Sequence, residues 1–226
     1  MTASSANVMT AREARSPFHF NSAAYLLRIG RERASTLGEL LEALRACPDD
    51  SIFQHTFRTL QEHHFIREGY SNDFAHWAYV DCQEKGLAER LASVDVRSFT
   101  SITDLREHIV QIVDEALLGN PRLRERHALK PFYFCASDTV ISPTPYVARN
   151  LPEFLDALSR VSIHSIHHHF IEARLRLKLR SNDFSHWLDE EMQLKAVAAR
   201  LDRIDIYTST LEGVRRKIIQ IVQTAA

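Results

Sequence analysis

The chain has 226 residues, of which 45% are hydrophobic and 25% charged, and its formal net charge is −1. This is the profile of an ordinary globular protein, and it carries no electrostatic footprint for nucleic acid or an anionic membrane. Only 6 residues are glycine and none form Gly-x-Gly, which excludes a dinucleotide fingerprint and a Walker-type phosphate loop, because both need glycines to bring the backbone close to phosphate.

In chain order, residues 1–16 are small and polar, without the apolar run of a secretory leader, and read as a disordered tail. No segment approaches the roughly 18 apolar residues of a membrane span. Pro17-Phe18-His19-Phe20 reads as an extended segment. The box Thr36-x-x-Glu39 then opens a helix whose Leu37, Leu40, Leu41 and Leu44 share one face. A second helix covers Ile52 to Ile66. A third starts at Asn72-Asp73-Phe74, and a fourth buries Leu87, Ala88, Leu91 and Val94. The last, opened by Ser101-x-x-Asp104, buries Leu105, Ile109, Ile112 and Val113. A basic join, 120–129, begins with the helix-stopping Asn120-Pro121.

After the join the pattern returns. Pro131-Phe132-Tyr133-Phe134 repeats the first extended segment at an offset of 114 (131 − 17), and Leu151 to Leu158 repeats the first helix. Ser181-Asn182-Asp183-Phe184-Ser185-His186-Trp187 repeats Ser71-Asn72-Asp73-Phe74-Ala75-His76-Trp77 at an offset of 110 (181 − 71). Copy one therefore carries four extra residues between His55 and Ser71, about one helical turn. The prolines all lie outside 49–120 and 153–226, so both stretches can be helical. The expected fold class is all-α: two tandem helical-bundle repeats, 17–119 and 130–226, with short extended Phe-x-Phe segments that add at most a short strand and no sheet. Copy one is acidic and copy two near neutral, so complementary surfaces between them are compatible with the charges. The 3 cysteines lack Cys-x-x-Cys spacing and read as free thiols in a reducing cytoplasm.

Three groups of residues are candidates for chemistry. Asn-Asp-Phe-x-His-Trp occurs twice. The asparagine suits a helix cap, the aspartate the helix dipole and the aromatics a buried stripe. Alternatively Asp183 with His186, and Asp73 with His76, form acid/base or ligand pairs beside Trp187 and Trp77. In the second group, His164, His167 and His168 share a helix face at a spacing suited to a divalent metal. Copy one has Asp50, Phe53 and Gln54 there, so such a site belongs to copy two alone. His55 and His169 match between copies and read as half-buried imidazoles with hydrogen-bond partners. The third group is Arg174, Arg176 and Arg180, which alternate with leucines and could face an anion such as a sugar phosphate. On the surface, Glu172 and Arg176 would pair.

Ser165-Ile166-His167-His168-His169-Phe170 with Asn182-Asp183-Phe184-Ser185-His186-Trp187-Leu188, Ile204-Asp205 and the Ile-Ile-Gln-Ile-Val end resembles a prokaryotic domain-of-unknown-function family, DUF5752. Members of that family carry Ser-Ile-Tyr-Tyr-His-Phe-like and Asn-Asp-Phe-Ser-x-Trp-Leu-like segments. The resemblance covers nearly all of copy two and, more loosely, copy one. It implies no catalytic residue. It does imply an association with glycosyl-transfer proteins, and so a glycosyl-transfer enzyme as a partner. The order from Trp187 to the last helix also resembles SAM-type interaction domains.

The residues thus favour a non-enzymatic, cytoplasmic accessory or protein-interaction module without cofactor, binding a protein partner or a second copy rather than nucleic acid or membrane. The alternative is a small-molecule or divalent-metal binder using the histidine-rich helix or the duplicated motif.

Overall fold

The structure is a computed structural model that describes residues 12–58, 70–178 and 181–224, without the side chains of residues 176 and 177. Residues 59–69, which would hold the end of the second helix and the four-residue insertion, lie outside the described residues, as do Arg180 and most of the expected tail.

Two long strands frame the helices. Strand β1 runs Phe18–Thr36 and β2 runs His127–Ala148, and they form a two-stranded sheet. The Thr144 hydroxyl donates to the Phe20 carbonyl, while Gly30 lies against the Phe134 carbonyl. As β1 advances its partner recedes, so the pair is antiparallel. The chain is therefore mixed α/β, and the all-α, helical-bundle expectation is corrected: what read as short Phe-x-Phe segments are strands of 19 and 22 residues.

The reason is visible in the residues. Thr139-Val140-Ile141 and Tyr146-Val147 are strand formers. Pro131, Pro143 and Pro145, which mark where helix stops, are tolerated in β2 because a strand with only one neighbour has a free edge. Gly30 meets a different demand. A Cβ there would sit 2.4 Å from the Phe134 carbonyl oxygen, so only glycine lets the strands approach.

The helices are α1 Leu37–Ala46, α2 Asp49–Phe53, α3 Asp73–Val80, α4 Lys85–Ala92 and α5 Ile102–Gly119. After β2 come α6 Leu151–Arg160, α7 Ile163–Ile166, α8 Ala173–Leu177, α9 Asp183–Glu190, α10 Lys195–Leu201 and α11 Leu211–Gln223. Two π-helical turns interrupt them, Gln54–Arg58 after α2 and His167–Glu172 between α7 and α8. The caps follow the sequence. Thr36 accepts from the Glu39 N–H and Asn150 from the Glu153 N–H, and the glutamates reach back to the Ser35 and Arg149 N–H groups. Ser101 caps α5. α11 is capped by Thr210, whose hydroxyl accepts from the Gly213 N–H.

The chain divides into two compact units. A central unit is 25–139, and a terminal unit joins residues up to 24 with those from 140 on. Each strand is shared between them. In the central unit, α1 packs on α5 and α3 on α4, burying Leu40, Leu41, Leu44, Ile52, Phe74, Leu91, Ile109 and Val113 together with Phe132 and Phe134. In the terminal unit, α6 packs on α11 and α9 on α10, burying Phe154, Leu158, Phe184, Leu188, Leu201, Val214 and Ile218 together with Phe18 and Phe20. Each unit thus pairs the helices of one sequence copy with the Phe-x-Phe strand of the other. Full burial of each phenylalanine contributes about 2–3 kcal/mol, so each helical set draws part of its core from the strand it borrows.

Candidate functional site

In the terminal unit the π-helical turn brings His169 to face both β1 and the first turn of α9. Its Nε2 lies 2.8 Å from the main-chain nitrogen of Asn21, and its Nδ1 lies 2.6 Å from Asp183 Oδ2. A main-chain N–H can only donate, so Nε2 is the acceptor and the ring proton belongs on Nδ1, toward the aspartate. The imidazole is 2% exposed and edges onto Phe18, 5.0 Å between ring centres. Beside it the Trp187 indole donates to the Ser16 carbonyl at 2.9 Å. An imidazole, an indole and two phenylalanines thus fix one strand segment.

The central unit holds the same constellation. His55 Nε2 accepts from the Cys135 N–H at 2.8 Å, and His55 Nδ1 lies 2.8 Å from Asp73 Oδ2. The Trp77 indole donates to the Lys130 carbonyl at 2.7 Å. Phe132 packs 4.7 Å from the His55 ring.

An aspartate orienting a histidine is half of an acid–base relay. Here the other nitrogen, which would take a substrate proton, already accepts from the backbone. Cys135, whose N–H the His55 ring accepts, carries a thiol, yet burial, then the Asp73 charge, pushes that thiol up. That keeps the sulfur protonated, the reverse of an activated nucleophile.

The rest of the repeated motif is likewise built into the fold. Asn182 Oδ1 accepts from the Ser185 N–H, and its amide donates to Asp202 at 2.9 Å. Asn72 accepts from the Ala75 N–H and donates to the Leu91 carbonyl. The sequence pairs Asp183 with His186, but the structure couples Asp183 to His169 and Asp73 to His55. His186 and His76 are exposed. His186 borders a cleft with Ser181, Asp189, Lys195 and Asp202. Burial pushes the Asp202 carboxyl up, against hydrogen bonds from its neighbours and the Arg174 guanidinium.

The histidine-rich turn separates its members. His164 is exposed, whereas His167 and His168 are buried. His167 Nδ1 lies 2.9 Å from Glu172 Oε1, and His168 Nδ1 is 3.5 Å from Glu172 Oε2, too far for a hydrogen bond. The first contact spans five residues, which a π-helical turn brings face to face. Glu172 is therefore inside, and its expected pairing with Arg176 lies outside the described residues. Among the described residues no group of three His, Cys, Asp or Glu side chains is arranged to hold a metal. Arg174 is 8% exposed and its guanidinium lies 3.9 Å from Asp202, and the side chain of Arg176 is outside the described residues. Sequence reasoning missed Ser16, Asn21, Lys130 and Asp202, and placed the buried Glu172 on the surface. The first three act through main-chain atoms, which leave no side-chain signal.

The profile described as "Family of unknown function (DUF5752)" matches residues 15–223. The chain belongs to the DUF5752 family. A solved structure from that comparison, OrfY from Thermoproteus tenax, is similar with a TM-score of 0.83 and 31% identity, over 95% of this chain and 97% of that one. No curated protein matches. Family membership thus brings a fold and no assigned activity.

Two surface features of this DUF5752 chain remain. In the central unit a concave surface of about 690 Å³ is lined by Arg31, Arg33 and Arg124 but also by Glu32, Glu39, Glu42 and Glu125. This balance favours neither anion nor cation. On β1, Leu26, Leu27 and Ile29 are 63%, 62% and 73% exposed. Among the described residues no helix is long and apolar enough to cross a membrane.

Proposed function

We propose that this chain is a non-enzymatic, cytoplasmic accessory module made of two diverged tandem copies. Each copy lends its Phe-x-Phe strand to the helices of the other, and the whole acts by holding a protein partner. One observation carries the reading: in both units the motif's buried histidine has Nε2 occupied by a main-chain N–H and Nδ1 by an aspartate. The buried histidine and aspartate that recur in both copies clamp strands, and the recurring asparagines cap helices, so of the shared polar set only the exposed His76 and His186 face solvent. The solvent-facing surface, rather than an interior pocket, is then where the module works. A glycosyl-transfer enzyme is the partner class that the family resemblance suggests.

Co-purification from the native host with quantitative mass spectrometry tests this. A stoichiometric partner is expected, and it is expected to survive His186→Ala and His76→Ala. The reading is overturned if no partner is recovered and the purified chain turns over a substrate at a rate abolished by His169→Gln in protein that is still folded.

A further inference from the structure

The exposed apolar residues on β1 lie along a strand whose second edge is open. Within 26–33, the described structure gives the main chain no hydrogen bond outside the strand pair. Natural sheets guard such edges with prolines, charges or a covering element. β2 carries Pro131, Pro143 and Pro145, whereas β1 has no proline in 19 residues. Leu26, Leu27 and Ile29 are instead more than three-fifths exposed. An edge without proline or a covering element beside exposed leucine and isoleucine is a pairing surface for a partner that matches its charges, Arg28, Arg31, Glu32 and Arg33.

We infer that β1 of the central unit pairs antiparallel with β1 of a second copy of this chain, about a twofold axis at Gly30. The partner is identified by charge and symmetry. A twofold contact must be self-complementary. Centred on Gly30, the strand Leu26-Leu27-Arg28-Ile29-Gly30-Arg31-Glu32-Arg33 puts Arg28 of each copy opposite Glu32 of the other. Moving the centre half a residue either way loses this match and, toward the C-terminus, sets Arg28 against Arg33. At the Gly30 register Ile29 faces Arg31 and Leu27 faces Arg33, whose aliphatic stems cover apolar surface while their guanidinium heads stay wet. Among the described residues Arg28 has an exposed 3.5 Å ion pair with Asp138 to release. Glycine at the axis adds no side chain to hinder approach. This deepens the interaction-module reading and rests on it.

Sedimentation velocity on the full chain across a concentration series tests the pairing. The wild type is expected to sediment at twice the chain's mass. Ile29→Lys is expected to shift it to monomer. Arg28→Glu and Glu32→Arg, each replacing two attractive cross-strand pairs with repulsive ones, are expected to weaken the dimer roughly tenfold, and the double variant to restore it. Circular dichroism confirms that each variant is folded. A wild-type chain that stays monomeric at the highest concentration overturns the inference, as does a dimer indifferent to both charge reversals. A monomeric chain that still co-purifies with another protein defeats self-pairing and leaves the module reading intact. Failure to co-purify with a foreign protein, with a charge-swappable dimer, does the opposite.

Discussion

His169 shows how much one side chain can hold together. Removing it leaves the Asn21 N–H and the Asp183 carboxylate without their 2.8 and 2.6 Å partners and opens a void among Phe18, Phe20 and Phe184. Losing a buried hydrogen-bond bridge and ring volume together costs about 3 kcal/mol. His169→Ala and His55→Ala should therefore each lower the urea midpoint by that equivalent with unchanged slope. His186→Ala, at an exposed position, should change it by less than about 0.5 kcal/mol. The cysteines give a second prediction. Burial pushes the Cys47 thiol up to about 11 and Cys82 up to about 12. Both thiols bind their protons more tightly folded than unfolded. Their contribution is thus full below about pH 9 and is lost as pH rises toward the folded values. Thiol titration of native protein near pH 8 should label Cys135 first and leave Cys47 and Cys82 until unfolding.

At the scale of elements, the sequence and structure part company at the strands. The caps at Thr36 and Ser101 are readable because each lies three residues ahead of its acidic partner, a spacing set by helix geometry alone. The strands are not, because β1 lacks clear alternation: Ala23 is buried, and Leu26, Leu27 and Ile29 face water. The helix-stopping prolines of β2 were visible, but whether proline ends in a loop or rides a free strand edge depends on a partner strand a hundred residues away. The π-helical turns were equally hidden. Regular helical spacing gives no sign that one wider turn places Glu172 beside His167. Gly30→Ala offers a test at this scale. Its Cβ would meet the Phe134 carbonyl, so the substitution should destabilise the central unit by about 1–3 kcal/mol, read as faster amide exchange in 28–34 and 130–136. Trp187→Phe, which keeps the ring packing but loses the indole donor, should cost about 1 kcal/mol and free the amides around Ser16.

For the whole molecule, the order of copies along the chain differs from the grouping in space. A fragment of residues 17–119 follows the sequence repeat but lacks Phe132 and Phe134. A fragment of 25–139 holds the complete central unit, including both clamp partners His55 and Cys135. The second should unfold cooperatively, and the first should not. The recurrence of Phe-x-Phe and Asn-Asp-Phe-x-His-Trp is plain in the residues. Which Phe-x-Phe serves which helices is not, since either pairing satisfies the same local pattern. The candidate residues Asp73, His55, Asp183 and His169 were likewise all visible as residues, while their pairing was decided by the wider turn and by backbone atoms.

Strand clamp and acid–base pair differ in one observable, the proton on the buried rings. Long-range nitrogen–proton NMR on histidine-labelled protein, with His169→Gln and His55→Gln for assignment, reads it directly. A clamp gives both rings as the Nδ1–H tautomer with Nε2 a hydrogen-bonded acceptor, unmoved by added ligands. An Nε2–H ring, or an Nε2 signal that exchanges freely with solvent, contradicts the clamp and returns these residues to the candidates for chemistry.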